Sequence, residues 1–218
     1  SDSDSDDSYD GSDEYALHRA IEDGDDALAL SIVRGGVDVN GEWDGYTTLL
    51  CIFYNRVAVV SCLLELGADA DKTTPGFLFP LGFAAGNGHQ EVVELLVEVG
   101  NAQLNKQDDD GFTALHRAVY GDQLEPAKYL VARGCSLTVQ DNYGRTAVDL
   151  ATLFNRLQFV QFLTFASNLI TTNDSSSLRT LCAPYSSPFL KHTITRLRYT
   201  TILAARHARR IHDDPSLH

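Results

Sequence analysis

The chain has 218 residues, 44% hydrophobic and 22% charged, with a net charge of −13, which is the composition of an ordinary soluble protein long enough for one or two domains and a real core. The charge is uneven: residues 1–14 carry six Asp and one Glu with no Lys or Arg, residues 15–167 sum to −10 and residues 168–218 to +4. So acidic a body argues against nucleic-acid binding, since phosphates would be repelled, and with no apolar run of about 18 residues no segment is expected to span a membrane.

In chain order, residues 1–12 (SDSDSDDSYDGS) form an acidic low-complexity tail, expected to be disordered. YALHRAIEDGD (15–25) opens the first unit, DGYTTLLCIFYN (44–55) the second, FPLGFAAGNGH (79–89) the third, DGFTALHRAVYGD (110–122) the fourth and YGRTAVDLATLFN (143–155) the fifth. Aligned on Tyr15, Thr47, Phe79, Thr113 and Thr146, the units recur at spacings of 32, 32, 34 and 33 residues, a period that marks a repeat array. In each of the last four, a second apolar stretch follows a polar turn: VVSCLLELG, EVVELLVEVG, KYLVARG and FVQFLTFAS. Their apolar residues recur at i, i+3 and i+4, as on one face of a helix. A Gly then stands where a left-handed C-cap is expected, except at Ser167 in the fifth unit. Polar stretches such as ADADKTTPG and KQDDDG suit exposed hairpins.

Beyond the repeats, residues 168–218 form a linker and a basic tail. Leu190, Ile194, Leu197, Thr201, Ala204, Ala208 and Ile211 alternate at spacings of 4 and 3, one face of an amphipathic helix flanked by Lys191 and five Arg. Such a segment suits an anionic membrane, calmodulin, an acidic partner or the chain's own acidic stack, but is expected first as a C-terminal capping helix or a poorly ordered tail. The four cysteines (Cys51, Cys62, Cys135, Cys182) have no C-x-x-C spacing and read as free thiols of an intracellular protein, cytoplasmic or nuclear. The absence of Met predicts a piece of a longer protein.

The units resemble the ankyrin repeat, whose pattern is D-x-x-G-x-T-P-L-H-x-A-A, a Gly turn, V-V-x-x-L-L and G-A-D. The fourth unit carries it at Asp108, Gly111, Thr113, Leu115, His116 and Ala118; the third at Pro80, Leu81, Ala84, Ala85, Val92, Val93, Leu95 and Leu96; the second at Gly45, Thr47, Leu49, Leu63 and Leu64. The likeness covers residues 13–167, about five repeats, and departs at Gly82 and Asp149, which replace His, and at Asn101, a one-residue insertion. It implies an all-α solenoid of stacked helix-turn-helix units with β-hairpin-like loops. It also implies that His18 and His116 bond the Thr position and neighbouring backbone, tying hairpins together, while Thr47, Leu49, Thr113 and Leu115 build the scaffold.

Catalysis and metal binding find little support. His18, His89 and His116 lie at least a repeat apart with no Cys beside them, whereas zinc needs about four converging donors. GNGH lacks the Lys-Ser/Thr of a phosphate loop. No cofactor is expected, and Cys51 and Cys62 read as small buried hydrophobes. The resemblance implies a non-catalytic, monomeric protein-binding module acting through hairpin tips and first helices. Candidate contacts at the tips are Trp43, Asp44, Tyr46, Phe77, Asp110 and Phe112, the last with Asp110 capping its turn. Arg117, Tyr120, Tyr143 and Arg145 continue the surface, as do Tyr54 and Phe154, and Trp, Tyr and Arg are the usual interface anchors. The surrounding acids suit a partner with basic residues. Two alternatives stand: a regulatory fragment of a larger enzyme, or a ubiquitin-ligase substrate adaptor. For the second, Ser177, Leu178 and Cys182 resemble the start of a suppressor-of-cytokine-signalling box, from which Pro184 departs.

Overall fold

The structure, a computed structural model, describes residues 13–43, 46–47, 51–73 and 79–171 with 177 and 180, and only the backbone at 14, 42–43, 46–47 and 171. The acidic tail and residues 190–211 of the basic segment lie outside the described residues, as do Leu178, Cys182 and Pro184 of the adaptor-box resemblance and Asp44, Leu49 and Phe77; Ser177 is described and helical.

Nine helices are formed among the described residues. They are α1 (Asp13–Asp23), α2 (Asp26–Arg34), α3 (Val57–Glu65), α4 (Pro80–Asn87), α5 (Gln90–Glu98), α6 (Ala114–Tyr120), α7 (Leu124–Ala132), α8 (Ala147–Leu153) and α9 (Leu157–Thr171). The two short strands β1 (Glu42–Trp43) and β2 (Tyr46–Thr47) pair antiparallel, with Trp43 opposite Tyr46 and Glu42 opposite Thr47. The helices stack in two rows. In one, α4 packs on α6 and α6 on α8; in the other, α2, α3, α5, α7 and α9 follow one another. A helix pair exposes apolar side chains on both flanks, so each unit is stable only against its neighbours.

The period in the sequence is the period of the core. Leu17, Leu81 and Leu115, each two residues past the aligned position, are all buried, as are Ala20, Ile52, Ala84, Ala118 and Ala151 five residues past it. The second row contributes Val33, Leu63, Leu96, Leu130 and Leu163. Before the second helix of each unit the chain turns through a left-handed residue: Gly24, Asn55, Gly88, Asp122 and Asn155 all have φ between 52° and 79°. After α5 the left-handed position falls on Asn101 (φ 52°) and not on Gly100, so the inserted residue carries the cap expected of the Gly. At Ser167, where the Gly is missing, α9 runs on to Thr171.

Close approach requires glycine at position 121. A Cβ on Gly121 would stand 1.8 Å from the carbonyl oxygen of Gly86, so the end of α6 rests directly on the backbone of α4.

Candidate functional site

The stretch Asp108–Tyr120 shows how a hairpin is fixed to its helix. Thr113 is the N-cap of α6: its hydroxyl accepts from the His116 amide, and His116 Nδ1 receives the Thr113 amide at 3.2 Å and lies 2.8 Å from Thr113 Oγ1. Because Nδ1 accepts a backbone N–H, the ring proton belongs on Nε2, which points 3.2 Å from the carbonyl of Arg145 in the next hairpin. His116 is 1% exposed. Burial pushes its pKa below the ordinary value, and protonation of Nδ1 would break the bond from Thr113.

The same station is filled in other ways elsewhere. At α8, Asp149 takes the place of His116: its carboxylate accepts from the Thr146 amide at 2.8 Å and the hydroxyl at 2.7 Å, which holds its pKa down. At α4, Phe79 stands at the Thr position and Gly82 at the His position; a Cβ on Gly82 would lie 2.7 Å from the Phe79 ring. The bulk has moved from one residue of the pair to the other. In α1, His18 sets Nδ1 3.8 Å from Glu22 of its own helix. Thr47 lies in β2.

The turn before α6 is organised by Asp108, whose Oδ1 accepts the amides of Asp110 (3.0 Å) and Phe112 (2.9 Å). This corrects the expectation that Asp110 caps the finger: a carboxylate two residues earlier in the chain faces back onto the following amides. Asp141 repeats the device, accepting from the amides of Tyr143 and Arg145, both at 2.9 Å. Burial raises its pKa, but these bonds and the Arg145 guanidinium outweigh burial and lower it. Each hairpin also grips the next. Asn40 accepts the Asp69 amide at 2.7 Å, the Asp71 carboxylate that of Gln103 at 3.1 Å, and Asn105 that of Ser136 at 2.7 Å.

The expected partner-facing residues separate into two groups. Phe112 is 8% exposed, stacked on His116 and covered by Arg117, whose guanidinium carbon lies 4.7 Å above the ring. Arg117 in turn bonds Asp108 through Nε at 2.7 Å, and its side chain is 14% exposed. Both residues are therefore hairpin packing and not free surface, because Asp108 draws the cation down over the ring. Tyr120 (57%) and Tyr143 (76%) are exposed, as is Asp110. Tyr120 meets Phe154 edge-on, with centroids 5.6 Å apart, and Arg145 lies 4.5 Å over Tyr143 while bonding Asp141 at 2.8 Å. Trp43 and Tyr46 are placed by their backbones in the β1–β2 hairpin.

Leu153 (62%), next to Phe154 in the chain, and Leu157 (65%), at the start of α9, are also exposed and were not anticipated. Their signal was available: Leu153 stands at the position of Tyr120, already an expected contact.

Among the described residues no group of three or more His, Cys, Asp or Glu could hold a metal ion, and no helix is long and apolar enough to cross a membrane. Cys51 is buried, which pushes its thiol pKa up and leaves it an inert core side chain.

The fold and its repeated hairpin-to-helix ties define a stacked helical repeat solenoid. Residues 81–174 match the family model for ankyrin repeats in three copies, and the chain is an ankyrin repeat protein. It is similar to Rabankyrin-5 of Mus musculus, 29% identical over 162 residues, which covers 67% of this chain and 14% of that protein. Alpha-latroinsectotoxin-Lt1a of Latrodectus tredecimguttatus is 32% identical over 117 residues, covering 52% of this chain and 8% of the toxin. Ankyrin repeat and SAM domain-containing protein 6 of Rattus norvegicus is 44% identical over 77 residues, covering 35% of this chain and 9% of its own length. The chain thus spans a small fraction of these relatives. Ankyrin repeats are generally protein–protein interaction modules and typically non-catalytic.

Proposed function

We propose that this chain is a non-catalytic binding module that captures a protein partner on the face around Tyr120 and Phe154. The observation that carries the reading is the edge-on pair itself: two aromatic rings, 57% and 40% exposed, held 5.6 Å apart across adjacent repeats. A solvent-facing aromatic pair on a rigid scaffold offers large contact area at little entropic cost. At the next hairpin Tyr143 is exposed with Arg145 over its ring, and the Asp110 carboxylate, 3.3 Å from Arg117 yet still exposed, favours a basic group on the partner. Phe112, covered by Arg117, lies with its ring 6.5 Å from that of Tyr120 and so backs the pair.

The test is affinity capture on the immobilised chain, compared with the Tyr120→Ala/Phe154→Ala double variant. Proteins retained by the native chain should bind at least tenfold more weakly to the variant while its circular dichroism stays unchanged. Equal retention by both would remove this face from the interface.

A further inference from the structure

A second surface lies in the row of second helices, apart from the aromatic patch. Between α5 and α7 the space is filled: Tyr129 is fully buried and donates its hydroxyl to Glu98 at 2.6 Å, and Arg133 pairs with the same carboxylate. One repeat earlier, between α3 and α5, the residues at the stations of Tyr129 and Arg133 are Leu95 and Val99. Across from them α3 presents Val57 and the small, exposed Ala58. The shorter side chains leave an open groove of about 490 Å³, apolar along its floor and rimmed by Glu91 and Glu94. Leu95, the first of a Leu-Leu pair that the sequence assigns wholly to the core, is half-buried against this groove. Glu98 at its far end is neutralised by Arg133, and Glu94 accepts from Gln90 at 2.9 Å, so the net charge of the rim is negative.

We propose that residues 190–211 of this chain dock at the α3–α5 groove, seating about two turns of the stripe between Leu190 and Ile211 on Leu95 and Val99 and turning basic side chains towards Glu91 and Glu94. Charge complementarity carries the assignment. The body of the chain is acidic, residues 168–218 sum to +4, and the stripe is flanked by Lys191, Arg198, Arg206, Arg209 and Arg210. An apolar face bordered by cations fits an apolar groove bordered by carboxylates. The tether is long enough. Residues 172–189 separate α9 from the stripe; Ser177 and Thr180 are helical, and with 177–180 counted at about 1.5 Å per residue and the rest at about 3.3–3.6 Å the tether can still reach roughly 50 Å. From α9 past α7 to the groove between α5 and α3 is about 20–30 Å, at 8–10 Å per neighbouring helix. A tethered segment needs only weak intrinsic affinity, since its effective concentration is about millimolar.

Hydrogen exchange on the full chain tests this. In the native chain, amides of α3 and α5 should exchange at least threefold more slowly than in the Arg206→Glu/Arg209→Glu/Arg210→Glu variant, with α6 and α7 unchanged in both. Adding Glu91→Lys and Glu94→Lys to that variant should restore the protection. Equal exchange in α3 and α5, or protection that appears on the exposed apolar residues of α8 and α9 instead, would overturn the proposal. So would protection of the segment only when anionic phosphatidylserine vesicles are added, which would make a membrane its occupant.

Discussion

Replacing His116 by Ala should destabilise the fold by about 1–3 kcal/mol, and replacing it by Asn should cost clearly less. The reasoning starts from two separate bonds on one ring. Nδ1 serves the N-cap of α6 by accepting the Thr113 amide, and Nε2 reaches the Arg145 carbonyl at 3.2 Å in the next hairpin. Loss of a capping interaction costs about 0.5–2 kcal/mol, and loss of one buried hydrogen bond about 0.5–1.5 kcal/mol, with more when a partner is left unsatisfied. Ala removes both. Asn keeps an acceptor at the distance from the backbone that Asp149 uses to bond Thr146, so only the reach to Arg145 is lost, about 1 kcal/mol. Urea unfolding followed by circular dichroism measures the difference. With a slope of about 1–3 kcal/mol per molar, a 2 kcal/mol loss moves the midpoint by about 1 M. A midpoint for His116→Ala within error of the native chain would refute the account, and so would one for Asn as low as that for Ala, because the cap and the link would then not be separable.

The neutral state of His116 also makes stability depend on pH. Its pKa is depressed below 6.5 in the folded chain, so below that value the unfolded chain binds more protons; the stabilisation present above pH 6.5 is lost as pH falls through the folded value. His89, depressed by burial in the same direction, adds to the slope. Unfolding midpoints measured downward from pH 7 should therefore fall, and His116→Asn should flatten the curve without abolishing it. Gly121→Ala should cost about 1–3 kcal/mol by forcing backbone apart, since the new methyl would collide with Gly86; an unchanged thermal midpoint would show that α4 and α6 are not in the contact described.

Much of the fold was legible because the residues that repeat are the ones that do the same packing job in each unit. Leu17, Leu81 and Leu115 could be aligned by eye and prove to be equivalent core positions. The all-α stack, the helix pairs and the β1–β2 hairpin follow from that period. What stayed hidden depends on residues meeting across a turn. Phe112 and Arg117 look like surface anchors in the sequence; they are packed only because Asp108 folds back beneath them, a contact set by the hairpin and not by any periodicity. Gly82 and Asp149 look like lapses in the pattern. One gives room to the Phe79 ring and the other supplies an equivalent acceptor, so neither is a defect in the stack. The open groove beside Leu95 was invisible for a different reason: it depends on the size of Ala58 across the interface, in a different unit.

The exchange of bulk between Phe79 and Gly82 has a consequence for how such a chain can vary. The two residues share one volume, so neither can be altered alone in the direction of its neighbours. Adding a side chain at 82 while the ring remains produces a collision; trimming the ring to Thr while Gly remains opens a hole in a fully buried site. A drift from the Phe–Gly solution to the Thr–His solution therefore crosses a valley whichever step comes first, and the pair is inherited, or redesigned, as a single letter.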